Sequence, residues 1–193
     1  LLIFDEVVTG FRIGLGGAQK YYGVEADLVT LGKTIGGGFP IGAFAGRKEI
    51  METMNPRRKD EPNYMYHAGT FNANPISTAA GLAAVQELEK PGVYERLHLI
   101  GEQLRRALRD VAEDKGINAQ VAGIGPIWHI FFTDKEVYDY RSAAGSDNNK
   151  LMDFHLNLIV RGIWPFLGVK GYCSAVHTDE DVQKTTEAFH DAM

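Results

Sequence analysis

The stretch LGKTIGGGFPIGAFAG, residues 31–46, sets one lysine, Lys33, among apolar residues and glycines. A lysine is rarely buried without a chemical reason. Glycine at this density gives up packing and chain entropy for tight turns or close approach. A second reactive group lies upstream, where the run LLIFDE ends in Asp5 and Glu6. In open parallel sheets, ligands bind beyond the carboxyl ends of the strands. If LLIFDE and DLVTLG are parallel neighbours joined by a helical crossover, Asp5 and Lys33 reach one rim. A carboxylate and an amine facing one crevice suit a cofactor with a basic ring nitrogen and an aldehyde. The carboxylate keeps the nitrogen protonated so that the ring draws electrons, and the amine forms an imine with the aldehyde. That is the chemistry of pyridoxal phosphate. On this reading Lys33 is spent as an imine rather than kept as a buried ammonium, and the glycines beside it leave space for a flat ring. Spacing alone leaves open the alternative that Asp5 is a turn former and Lys33 a solvated lysine.

The elements that must position these groups read as an α/β pattern over residues 1–91. LLIFDE has the look of a parallel strand buried on both faces. ADLVTLGK is a second strand and IGAFAG a third. Asn74 caps a helix whose first residue is Pro75. The KPG at 90–92 punctuates the chain, and residues 92–193 read as a smaller α+β unit. There Leu97, Ile100, Leu104, Leu108 and Val111 recur at helical spacing, predicting an amphipathic helix over 94–115. PIWHIFFT reads as a strand, NKLMDFHLNLIVRG as a helix and YCSAV as a last strand. Thr178 and Asp181 then open a terminal helix with a capping box. Residues 55–63 and 143–149 read as exposed loops.

Composition narrows the function classes. The 193 residues carry a net charge of −5, which gives no reason to expect nucleic acid or an anionic membrane surface. No apolar run is long enough to span a bilayer. A single cysteine, Cys173, excludes an internal disulfide and fits a reducing, cytoplasmic compartment. The six histidines show no metal-ligand spacing, so no metal is expected. The opening strand starts in full stride, and the sequence reads as the C-terminal part of a longer protein.

LIFDEVVTGFR, DLVTLGKTIGGGFPIGAFAGR and HAGTFNANP together resemble the signature blocks of the class III pyridoxal-phosphate aminotransferases. LGGAQKYYGVEADL is most similar to the branch around glutamate-1-semialdehyde aminomutase. The resemblance is specific over residues 1–90 and looser to the end. It implies a fold-type-I transferase: residues 1–91 as the second half of a large, mostly parallel sheet domain that binds the cofactor, and 92–193 as a small C-terminal α+β domain. Carried over by position, it implies that Asp5 pairs with the pyridinium nitrogen, that Val7 packs on one face of the ring, and that Lys33 holds the cofactor and shuttles the proton. It further implies that Gly69 and Thr70 bind the cofactor phosphate of the other subunit, hence a homodimer with shared active sites.

The same resemblance frames the substrate. The aminomutase branch carries a glutamate in its last loop, whereas here LGVKGY places Val169 there; HAGTFNANP also departs from that branch's AGTLSGNP. Both departures point to a transaminase acting between an amino acid, β-amino acids included, and a keto acid. The alternative is the aminomutase itself, which moves an amino group within one substrate. A non-catalytic fragment is the third reading.

Overall fold

The computed structural model describes residues 1–193, which fall into two compact units, Leu1–Pro91 and Gly92–Met193. In the first unit, β1 (Ile3–Glu6) is followed by helix α1 (Gly17–Tyr22) and strand β2 (Leu28–Gly32). This crossover makes β1 and β2 parallel, with Asp5 opposite Thr30 and Glu6 opposite Leu31. A 3-10 turn over Lys33–Gly36 leads to β3 (Gly42–Gly46), which pairs with β2 antiparallel. The sheet is therefore mixed, with the order β1-β2-β3. Helices α2 (Lys48–Met51) and α3 (Pro75–Leu88) complete the unit. As the sequence predicts, Asn74 caps α3, its side chain accepting the amides of Ile76 and Ser77 at 3.0 and 3.2 Å, ahead of Pro75.

The first strand differs from expectation in its burial. Ile3 is 56% exposed, and Leu1 and Leu2 are exposed as well. Side chains of a strand alternate between faces. Phe4 and Glu6 lie on the face covered by α1, whereas Ile3 and Asp5 lie on a face that no element of this unit covers.

The second unit is built from α4 (Val93–Asp114), β4 (Gln120–Ala122), β5 (Ile127–Phe131), α5 (Tyr140–Ala144), α6 (Asn148–Val160), β6 (Gly171–Tyr172) and α7 (Asp179–Ala192). The strands form an antiparallel sheet in that order. The expected face of α4 is buried: Leu97, Ile100, Leu104, Leu108 and Val111 all leave solvent. Of these, Ile100, Leu104 and Leu108 meet Trp128 and Ile130 of β5, Phe154 and Leu158 of α6, and Phe189 of α7 in one core. Thr178 and Asp181 form the predicted capping box of α7. Two expectations shift. The last strand is shorter and earlier than YCSAV, because only Gly171 and Tyr172 pair with β5. The stretch 143–149 is mostly helix ends rather than loop, since Asp139 and Asp147 cap α5 and α6. In 55–63, Asn55 likewise caps a short 3-10 turn over Pro56–Arg58. Across the β5–β6 pair, Trp128 sits opposite Gly171, where a Cβ would fall 1.9 Å from two carbons of the indole ring.

Two imidazoles make this core sensitive to acid. His155 of α6 is fully buried; its Nδ1 accepts the Gly168 amide at 3.0 Å and its ring meets Trp128 edge-on. Burial pushes its pKa down to about 4. His129 of β5 is also pushed down to about 4, first by burial and then by the nearby His155 and Lys170. Neither His129 Nδ1 nor His155 Nε2 has a hydrogen-bond partner to stabilise a charge. Both rings are therefore neutral in the fold, while the unfolded chain protonates them near 6.5. Below that pH the unfolded state binds more protons at these two rings, so their contribution lowers stability from about pH 6.5 down to about 4. Denaturant unfolding followed between pH 7 and 4 is expected to show this decline with net proton uptake. A stability independent of pH across that window would contradict the neutral buried pair.

Candidate functional site

Strand alternation separates the two acids at the end of β1. Glu6 turns inward and is 2% exposed. Its Oε2 accepts the Thr9 hydroxyl at 2.7 Å and the Ala18 amide at 2.8 Å, and its Oε1 accepts the Gln19 amide at 3.0 Å. Gly17, with φ +56, passes so close that a Cβ would lie 2.2 Å from Glu6 Oε2. The left-handed angle and the contact both demand glycine. Asp5 turns the other way, exposed on the open face beside Thr30. Its Oδ1 accepts the Val7 amide at 3.0 Å and the Thr30 hydroxyl at 3.2 Å. Its Oδ2 takes no donor, so one carboxylate oxygen is anchored and the other is uncommitted.

Lys33 stands two residues past Leu31, at the carboxyl end of β2. The structure corrects the expectation of burial: the side chain is exposed, with no ion-pair or hydrogen-bond partner. The backbone there is unusual. Lys33 has φ +50, a left-handed conformation. A side chain in that region costs about 1–2 kcal/mol relative to the right-handed one. Strain of this kind at a non-glycine residue concentrates at functional sites, where surrounding structure holds it. The holding structure is visible. Gly37 ends the turn with φ +57, and its amide bonds Thr34 O at 3.2 Å. A Cβ at Gly37 would be 2.6 Å from the Ala80 carbonyl of α3, and one at Gly81 would be 2.4 Å from Ile35 O. These two glycines clasp the turn against α3. Gly32, just before Lys33, lies beside Val7, its Cβ position 3.4 Å from a Val7 methyl.

Asp5, Val7 and Lys33 thus share the rim formed by the carboxyl ends of two parallel strands. Gly69 and Thr70 sit in an exposed turn ahead of α3, where Gly69 O accepts the Asn72 amide at 3.0 Å. No hydrogen bond links them to the rim. A cleft of about 1060 Å³ in this unit lies between β3 and that turn, lined by Phe44, Met51, Met54, His67, Phe71 and Asn74 among others, and contains neither Asp5 nor Lys33. Sequence reasoning missed Thr30, the partner of Asp5, and the inward role of Glu6. The period-2 alternation of a strand was the signal that could have found both.

An uncommitted carboxylate oxygen and an unpaired amine at one rim fit a group that offers one cationic ring N–H and one aldehyde. The rim is equally suited to a small dipolar substrate. Comparison with known proteins narrows the choice. The sequence profile of the family described as Aminotransferase class-III matches residues 1–193. The chain is 44% identical over 197 residues to a glutamate-1-semialdehyde 2,1-aminomutase of Methanopyrus kandleri, covering 100% of this chain and 44% of that protein. An omega-transaminase from Sphaerobacter thermophilus superposes with a TM-score of 0.90 at 37% identity, over 98% of this chain and 43% of that one. A beta-phenylalanine aminotransferase from Variovorax paradoxus superposes with a TM-score of 0.84 at 33% identity, over 99% and 43%. The chain therefore spans a little under half the length of the proteins it matches.

Proposed function

Because the chain belongs to the class III aminotransferases, we propose that it is the lysine-bearing part of a pyridoxal-phosphate enzyme that moves an amino group. One observation carries this reading: an unpaired Lys33 in a left-handed backbone, on the same rim as an Asp5 carboxylate with one free oxygen. When bound, the cofactor supplies an electron-withdrawing ring that stabilises negative charge on the carbon bearing the amino group. Asp5 Oδ2 accepts the hydrogen bond of the ring nitrogen and keeps its proton in place. Lys33 Nζ holds the cofactor and then moves protons at the reacting carbons of the substrate. Val7, beside Gly32 at the same rim, would border the ring. By the family resemblance, Thr70 Oγ1 and the Gly69 amide would bind the phosphate across a homodimer interface; no hydrogen bond ties their turn to the rim of their own chain.

The finer reading we propose first is intramolecular transfer, as the name of the Methanopyrus relative supports. This ranks the two reactions in the opposite order to the sequence expectation above. The transaminase reading is kept on a specific observation: Val169 stands where the aminomutase branch carries glutamate, and the two solved structures above are named as transaminases. The deciding experiment offers the full-length protein glutamate 1-semialdehyde alone, or amino acids, β-amino acids included, with pyruvate or 2-oxoglutarate. Turnover of the semialdehyde without an acceptor supports the aminomutase. Turnover that requires an acceptor supports the transaminase. Failure of the purified protein to take up pyridoxal phosphate at all would overturn both.

A further inference from the structure

Glu6 is a buried carboxylate with no role in the proposed chemistry and no cation beside it. Removing a carboxylate from water is expensive unless hydrogen bonds replace its hydration. Three donors do so here, from Thr9, Ala18 and Gln19. They join two segments, the turn after β1 and the start of α1. The main chain of the same residue closes that turn, Glu6 O accepting the Gly10 amide at 2.8 Å. The turn so fastened begins with Val7, whose amide is one of the two donors that orient the Asp5 carboxylate. Asp5 and Glu6 are neighbours on opposite faces of one strand, so anything that lets the turn move reaches Asp5 through a single amide.

We propose that Glu6 is a positioning residue for Asp5, holding the turn over residues 7–10 so that the Val7 N–H aims the Asp5 carboxylate at the ring nitrogen. The proposal rests on Asp5 being the ring-nitrogen partner. Altering Glu6 leaves Asp5 itself in place, yet the direction of its free oxygen is lost. Outer groups that orient a functional ligand typically change affinity or rate by about 10- to 100-fold when removed.

The test uses Glu6→Gln in the full-length protein, with Asp5→Asn measured in parallel. The amide of glutamine sets an NH₂ group against the Ala18 or Gln19 amide, while size and shape are kept. Three changes are expected. Hydrogen exchange in the peptide covering residues 4–10 accelerates even without cofactor. The pH midpoint of the bound cofactor's visible band shifts in the same direction as in Asp5→Asn. The value of kcat falls about 10-fold with KM changed less. Faster exchange confined to residues 17–20, with the band and kcat as in the parent, would mean a purely structural Glu6 and would overturn the proposal. Should Glu6→Gln fail to fold, Thr9→Val removes one donor only. A smaller shift of the band in the same direction supports the proposal, and an unchanged band with unchanged exchange overturns it. The Asp5→Asn arm separates the two levels. If it leaves band and rate unaltered, the Asp5 assignment fails and the proposal with it. If it changes both while Glu6→Gln changes neither, only the role of Glu6 fails.

Discussion

Lys33→Ala is expected to lower kcat by about 10⁴-fold or more, the scale of losing a group that serves both as nucleophile and as proton carrier. The same variant should keep its fold, because Lys33 Nζ makes no hydrogen bond or ion pair that its loss would break. Alanine also retains the strained φ of +50 at that position, so neither a gain nor a collapse in melting temperature is expected. Borohydride reduction followed by peptide mapping should place a pyridoxyl group on Lys33 in the parent and nowhere in the variant. A label on another lysine, or an active variant, would remove Lys33 from the chemistry. Exogenous amines small enough to occupy the space of the lost side chain are expected to restore part of the rate.

Asp5→Asn is the second large effect. Both local hydrogen bonds of Asp5, from the Val7 amide and the Thr30 hydroxyl, go to Oδ1. An asparagine carbonyl can accept both and keep the side chain where it is. The only change is at the other terminal atom, where an acceptor becomes an NH₂ donor facing the ring nitrogen. The variant should therefore bind cofactor yet lose about 10²- to 10³-fold in kcat, the usual cost of removing one preorganised electrostatic partner. Near-parental turnover would mean that another group, or none, serves the ring. Comparison with Thr30→Val is instructive: that change removes one donor to Oδ1 but no charge, and should cost far less.

How much of this was legible in the sequence differs by element. The apolar spacing of α4 and the caps at Asn74 and Thr178 were readable because each depends on residues within a few positions of one another. The parallel pairing of β1 with β2 followed from a strand–helix–strand order, and with it the shared rim of Asp5 and Lys33. The antiparallel return of β3 was not readable, since nothing in IGAFAG distinguishes direction. Nor was the exposure of Ile3 and Lys33. A continuous apolar run predicts two covered faces, but what covers a face is set by elements far away in sequence. The glycines after Lys33 were seen as important for a different reason. The contact of Gly37 with the Ala80 carbonyl of α3, and of Gly81 with Ile35 O, is a long-range packing fact, and composition carries no trace of it. Glu6 shows the converse: its partners Thr9, Ala18 and Gln19 are all nearby in sequence, and strand alternation alone would have turned it inward.

Trp128 and Gly171 restrict how this chain can change over evolutionary time. The indole fills the space that any side chain at 171 would need. A substitution at 171 arising first therefore meets overpacking and is purged. The same substitution arising after Trp128 has been replaced by a smaller residue fills a void and is favoured. The two positions are therefore coupled: the effect of a change at one depends on which residue occupies the other. Passage between the two packed combinations runs in either direction through the same intermediate, a small residue at 128 facing Gly171, and that intermediate carries the void. Variation in the β5–β6 core is thus expected to come as paired exchanges at 128 and 171.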